Sequence, residues 1–570
     1  MPRKLIRAAA IVLTSLSLVA PVAQAGVSGP YLAGRQASID TNFRAVARYF
    51  ELALAQDRNN PQVLEAVAAA HMTLGNFDRA GTFADELVAL EKRSQIAHMA
   101  RMALSVRDGD FDAVIARIDD GEEVGPLVDS LVRGWAELGR GNLDGAVMAF
   151  DEIGQERGLR GLADYHRALA FASMGDFGTA VALLSSGEGA AQATRRGVVA
   201  HAQMLSQLGR NDDALQLMTE MFTTRLDPGL EALRAALQAG NAVPFDVINT
   251  PSDGVAEVFY SIAGALQGEA ANDYTLLYTR VTETLRPGHV DAILLSARLL
   301  EGLEEYELAT ETYGQVPAAD PAYHAAAMGR ADALRRSGDV DGAVDALNAL
   351  TETHGDLPIV HTTLGDVLRQ EKRYDEARDA YDLAISIYGS NGNDGQWFVY
   401  FARGITHERL DDWSSAEADF RKALELNPDQ PQVLNYLGYS LVEKKLKLDE
   451  ALDMIERAVA ARPDSGYIVD SLGWVLFRLG RYGESVPHME RAAELMPIDP
   501  VVNDHLGDVY WAVGRKLEAR FQWQRALSFI DHDEQGEANP DRIRRKLEVG
   551  LDQVLEEEGL PPLQLAQNNK

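Results

Sequence analysis

The sequence contains no cysteine. That excludes disulfides, thiolate zinc sites, cysteine nucleophiles and an acylated lipoprotein cysteine. Basic residues are also scarce. There are 54 lysines and arginines against 86 acids, a formal net charge of −32. Phosphate contacts need clustered Lys and Arg, so this balance argues against nucleic acid. It favours solubility and attraction to basic partners. Enzyme motifs are missing too: no HExxH, no GxSxG, no CxxC. The 12 histidines are scattered, and no acidic pair stands out from the rest as acid and base. A catalytic domain needs an unpatterned stretch of roughly 100 residues, and the repeats of this chain leave no room for one. Neither cofactor nor metal is expected. Past the first residues no run reaches about 18 apolar residues, so no direct membrane span is expected, only peripheral association through partners.

The N-terminus reads as a secretion signal over residues 1–25. Arg3, Lys4 and Arg7 form a positive region, Ala8 to Ala20 a short apolar run, and Ala23-Gln24-Ala25 a cleavage site. Export to the periplasm is the expectation.

From there the chain repeats itself. Leu437-Gly438, Leu472-Gly473 and Leu506-Gly507 each open a helix, and Ala451, Ser485 and Ala519 follow in a second one. Pro463 and Pro497, 34 residues apart, close the first two units. Val469, Leu472, Gly473 and Leu476 share one helical face; Ser485, Met489 and Ala492 share another. A mid-helix glycine costs about 1 kcal/mol relative to alanine, so its recurrence implies two backbones in close approach. Such a period marks a stacked helical-repeat solenoid, all α.

The small position can be traced backwards. Val46, Ala80 and Val114 are 34 apart, as are Ala146, Ala180 and Ala214, and later Ala309, Ala343 and Ala377. The turns GNFDRA, GDFDAV, GNLDGA and GDFGTA keep step, with glycine ending one helix and Asp or Asn starting the next. About fourteen repeats are expected. Residues 26–240 read as an N-terminal arm and 255–530 as a C-terminal arm. Residues 241–254, NAVPFDVINTPSDG, read either as a joint between the arms or as a long loop in one continuous superhelix. The glycine-rich run from Gly389 to Gln396 lacks a lysine and reads as an insertion. Asp531, His532, Asp533 and Glu534 read as a solvated linker rather than a metal cluster. Residues 531–558 form this linker and a capping helix from Pro540 to Glu558, with Ile543, Leu547, Leu551 and Val554 on one face. Residues 559–570 read as a disordered tail.

Function must then come from the solenoid surface. The first-helix face beside the core stripe carries Phe398, Phe401 and Ile405 in one repeat, and Asn435 and Tyr439 in the next. The following two carry Tyr467, Asp470, Trp474 and Phe477, then Asp504, Asp508 and Trp511. Aromatics give apolar contact at low entropy cost, and desolvated carboxylates would fix a lysine, an arginine or an amine. For each ring, packing against the next repeat is the competing reading.

The Leu-Gly, small, aromatic, Ala, Pro pattern resembles tetratricopeptide repeat (TPR) proteins, strongly from Leu364 to Leu527 and loosely before. The resemblance implies a helical superhelix that binds peptides or proteins in its groove. The runs LNYLGYSLVEKKLKLDEAL, VDSLGWVLFRLGRY and LGDVYWAVGR are similar to the C-terminal half of exported bacterial TPR adaptors. One of these is an outer-membrane lipoprotein that brings cell-wall hydrolases to a carboxy-terminal-processing protease. This chain departs from it in lacking the lipid-bearing cysteine. Some TPR proteins hold C-terminal carboxylates through lysine and asparagine; here the matching positions hold Asp470, Asp504 and Asp508, which predicts rejection of a carboxylate. The expectation is a non-enzymatic periplasmic scaffold whose partner is an envelope protease or its substrate. The alternative is a brace in an envelope assembly such as polysaccharide export.

Overall fold

The computed structural model describes residues 28–186, 194–222, 226–389, 395–530, 538–561 and 563. The expected signal peptide, residues 390–394 of the glycine-rich run, the Asp531–Glu534 linker and residues 562 and 564–570 of the tail lie outside these residues. The described residues form 31 α-helices and no strand. This accommodates the expected run of about fourteen helical hairpins, with the single helix Pro228–Gln238 and two C-terminal helices in addition. No helix among the described residues is long and apolar enough to cross a membrane.

The local chemistry of the turns explains the hairpins. Gly109 adopts φ +74, a left-handed conformation that ends Gln95–Arg107. Asp110 then accepts the Ala113 N–H and starts Phe111–Asp119. Asn142 does the same through Gly145 N–H for Leu143–Gly154. Val46, Ala80, Val114, Ala146, Ala180, Ala214, Ala309, Ala343, Ala377, Ala451, Ser485 and Ala519 are all buried. A Cβ on Gly473 would strike Met489, while Ser485 Oγ donates to Gly473 O at 2.6 Å. The 35-residue step from Gly438 to Gly473 comes from the turn before Leu448–Ala461, where Lys445 and Lys447 both take positive φ.

Two compact units divide at Asp339/Val340. Residues 241–254, read as a joint or as a long loop, lie inside the first of these units. Val247 and Ile248 are buried, and Gln203 Nε2 donates to Asp246 at 2.8 Å and Gln207 Nε2 to Val243 O at 2.6 Å. The segment is strapped onto helix Arg195–Gln207. A helix then starts at Pro251, fixed by a capping box between Thr250 and Asp253.

This helix and its successor do not begin a second arm. Helix Pro251–Leu266 packs against Pro126–Gly139 and Arg160–Ser173, and helix Asn272–Leu285 against Pro61–Thr73 and Gln95–Arg107. These four partners are all first helices of earlier repeats. The chain turns back and lays two helices along the surface that its own first helices line. Gly254 sits against the Trp135 ring, where a Cβ would clash. Arg280 Nε donates to Thr73 O at 2.9 Å, and Ser252 Oγ to Val106 O at 3.1 Å. At the far edge Thr41 Oγ1 donates to Leu303 O at 3.0 Å, and Arg44 pairs with Glu311 at 2.6 Å. The returning helices are buried on every side: Val255 to Phe259 and Thr275 to Thr282 are unbroken buried runs. A helix covered all round must be apolar or internally paired all round. Buried Glu257 meets that demand with Tyr165 Oη at 2.9 Å and Arg196 Nε at 2.6 Å. Burial pushes the Glu257 carboxyl up, but Arg196 and then His289 outweigh it and hold the acid below its usual range.

Candidate peptide-binding cleft

In the second unit the first helices Gln396–Arg409, Pro431–Glu443, Gly466–Arg478 and Pro500–Ala512 place the same repeat positions in register. Three residues before each repeat glycine stand Phe401, Asn435, Asp470 and Asp504; one residue after stand Ile405, Tyr439, Trp474 and Asp508. The structure divides these residues into an open stretch and a closed one.

The open stretch is a cleft of about 440 Å³ that includes Asn435, Tyr439, Tyr467 and Asp470, with Glu408, Glu443, Asp499 and His505 around them. Tyr467 is 47% exposed. Asp470 is buried and faces His505 Nδ1 at 3.1 Å. Burial lowers the affinity of His505 for a proton, but Asp470, then Asp504 and Asp508, more than reverse this, so its pKa lies above the ordinary 6.5. Asn435 is 8% exposed, and its Oδ1 has no hydrogen-bond partner. Trp474, expected in the same groove, does not line this cleft and lies behind His505. It stacks on His505 at 3.9 Å and on Phe477 at 4.9 Å, and its Nε1 donates to Glu443 at 3.1 Å. Phe477 is buried beneath it. Phe401 does not join the cleft. It packs against Phe420 and edge-on against Tyr436 of the next repeat, the competing reading for that ring.

The closed stretch corrects the expectation for Asp504, Asp508 and Trp511. Helix Pro540–Val549 lies over them. Lys546, fully buried, donates to Asp504 at 2.8 and 2.9 Å and to Asp508 at 2.7 and 2.8 Å. Burial and then Asp508 push the Asp504 carboxyl above its ordinary value, against the pull of Lys546. Asp508 also accepts Trp523 Nε1 at 2.9 Å, and Trp511 Nε1 donates to Asp552 at 2.9 Å. The carboxylates do bind a lysine, and it is the chain's own. The expected single helix from Pro540 to Glu558 is two, Pro540–Val549 and Leu551–Glu557. Gly550 breaks it at φ +88 with the Trp511 ring where a Cβ would stand. A lysine inside the apolar stripe Ile543, Leu547, Leu551 was the sequence signal for this contact. A smaller hollow of about 300 Å³ remains where Trp474, Phe477 and Arg478 meet Leu555, Leu560 and Leu563.

Among the described residues no group of three or more His, Cys, Asp or Glu side chains is placed to hold a metal ion.

Tetratricopeptide repeat family models match residues 294–358, 356–429, 401–465 and 444–500. The repeats over this stretch are thus tetratricopeptide repeats. A TPR repeat-containing protein of Pseudomonas aeruginosa is 27% identical over 190 residues, 33% of this chain and 31% of that protein. A lipoprotein NlpI homolog of Haemophilus influenzae is 34% identical over 101 residues, 17% of this chain and 31% of that protein. The chain thus spans about a third of the length of each of these relatives. Among solved structures, the APC/C hetero-tetramer Cut9–Hcn1 is similar at 14% identity, covering 92% of this chain and 96% of that one, with a TM-score of 0.38.

Proposed function

We propose that this chain is a non-catalytic periplasmic scaffold that holds a protein or peptide partner in the cleft between Asn435 and His505. One observation carries the reading. Within a tetratricopeptide array whose C-terminal stretch is covered by its own helix, the Tyr439–Tyr467–Asp470 stretch stays open. It offers aromatic contact area beside desolvated polar groups, the composition of interface hot spots. Four first helices of the N-terminal unit, by contrast, are covered by Pro251–Leu266 and Asn272–Leu285. Tetratricopeptide repeats are protein-binding scaffolds, which supports the reading for this cleft. The finer role, an adaptor that brings an envelope protease or its substrate, rests on the resemblance to exported adaptors and on the partial match to a lipoprotein homolog.

The test is affinity capture from the native envelope with the full chain and with Tyr439→Ala/Tyr467→Ala. Loss of a specific co-purifying protein, with the circular dichroism melt unchanged, supports the cleft. An unchanged set of captured proteins overturns it. The intact mass of the exported protein checks the location: cleavage after Ala25 is expected, and a chain retaining its N-terminus in the cytoplasm overturns the periplasmic assignment.

A further inference from the structure

The structure shows what these repeat positions hold when they are occupied. Asp504, three residues before its glycine, and Asp508, one residue after, surround the Lys546 ammonium with four contacts of 2.7 to 2.9 Å. The ammonium also lies 5.8 Å from the centroid of the Trp523 ring. One and two repeats upstream the same ladder continues as Asp470 and Asn435, now facing an open cleft. Asn435 is more than nine-tenths buried and its Oδ1 is unsatisfied. Leaving a buried acceptor unmade is costly, and a cationic donor would use it. Glu443 is engaged by Arg478 at 2.8 Å, and Asp499 by the backbone N–H groups of Val501 and Val502. Asp470 accepts from His505 at 3.1 Å but keeps further acceptor capacity, as Asp508 accepts both Trp523 and Lys546. Glu408, Arg409 and Lys444 also line the cleft, but of the lining residues only Asp470 and Asn435 occupy the repeat position that in the last repeat holds Asp504.

We propose that this cleft recognises a lysine or arginine side chain presented by a partner polypeptide, its cationic head held by Asp470 and Asn435 and its stem against Tyr439 and Tyr467, as Lys546 is held by Asp504 and Asp508. The inference rests on the cleft being the partner site and adds the chemistry that it selects. A terminal carboxylate is disfavoured in the same place, since Asp470 would repel it.

The chain supplies its own probe. A fluorescent peptide of residues 538–550 (ANPDRIRRKLEVG), four bases and two acids, is titrated into the full chain and followed by anisotropy, beside the same peptide with Arg542→Gln, Arg544→Gln, Arg545→Gln and Lys546→Gln. The lysine peptide binds about tenfold or more tightly than the glutamine peptide, the discrimination expected of a charge-assisted hydrogen bond. Asp470→Asn in the full chain abolishes that difference. Asn435→Leu weakens the lysine peptide while leaving the melting temperature unchanged or higher, because it removes an unsatisfied buried acceptor. A merely structural role for Asn435 would move both in the same direction. Equal binding of the two peptides overturns the cation preference and leaves the Tyr439/Tyr467 capture result standing. Discrimination that survives Asp470→Asn but is lost in Asp504→Asn/Asp508→Asn shows exchange with the resident helix, which overturns the assignment to the cleft. Absence of binding by either peptide overturns it also.

Discussion

At the residue scale two histidines are shifted in opposite directions by what surrounds them. His166 is fully buried in the N-terminal unit and accepts Trp135 Nε1 at Nδ1, 3.2 Å away. Accepting there requires the neutral ring, and burial lowers its pKa to about 4 from 6.5. Above pH 6.5 neither state is protonated and the site contributes nothing to the pH dependence. As pH falls from 6.5 to about 4, the unfolded chain takes up a proton that the folded one refuses. Stability is lost across that window, by roughly 3 kcal/mol at its lower end. His166→Gln is expected to flatten this loss in urea melts between pH 7 and 4; an unchanged slope contradicts it. His505 runs the other way. Its raised pKa means that the Asp470 contact stabilises fully below 6.5 and fades as pH climbs through the folded value. Sequence alone could not tell the two apart, because both occupy first-helix positions; what differs is whether a carboxylate or an indole lies opposite.

At the element scale the closing helix Pro540–Val549 is a helix held by one charge as much as by its apolar face. Removing Lys546 leaves Asp504 and Asp508 buried with only the more distant Arg542, 3.7 Å from Asp508, to offset their charge. Lys546→Ala is therefore expected to cost about 3–5 kcal/mol. Adding Asp504→Asn and Asp508→Asn recovers most of it, since the asparagine at 508 still accepts from Trp523. Urea unfolding followed by tryptophan fluorescence checks both, and a triple variant no better than the single one refutes the ion-pair account. The repeat hairpins were legible in the sequence because spacing between small residues encodes close helix packing, and Val46 through Ala519 are buried as that spacing implies. The fate of Asp504, Asp508 and Trp511 was not legible. A first-helix pattern fixes which face is turned away from the hairpin core, but not what returns to cover it. The returning helices left a trace, five and eight consecutive buried residues at Val255–Phe259 and Thr275–Thr282, yet a buried run and an amphipathic one differ only in the few polar positions that here carry Glu257 and Arg280.

At the scale of the whole molecule, a net charge of −32 gives any cationic segment a long-range pull. The Debye length falls from about 10 Å at 0.1 M salt to about 3 Å at 1 M. The 538–550 lysine peptide is accordingly expected to associate more slowly as salt rises, with its dissociation rate much less affected. Stopped-flow anisotropy separates the two rates; a salt-independent association rate contradicts electrostatic attraction. Each of the two units also covers part of its first-helix surface with later helices, so the stretch left open is shorter than the array of repeats.

The tie between Thr41 and Leu303, with Arg44 on Glu311, changes how the N-terminal unit must be made. An ordinary stack of repeats can consolidate from one end as it leaves the ribosome, each neighbour resting on the last. Here the first hairpins cannot reach their final partners until a residue 262 positions further on has been synthesised. High contact order of this kind slows folding and exposes unfinished intermediates. This unit therefore closes late, after nearly all of it has emerged.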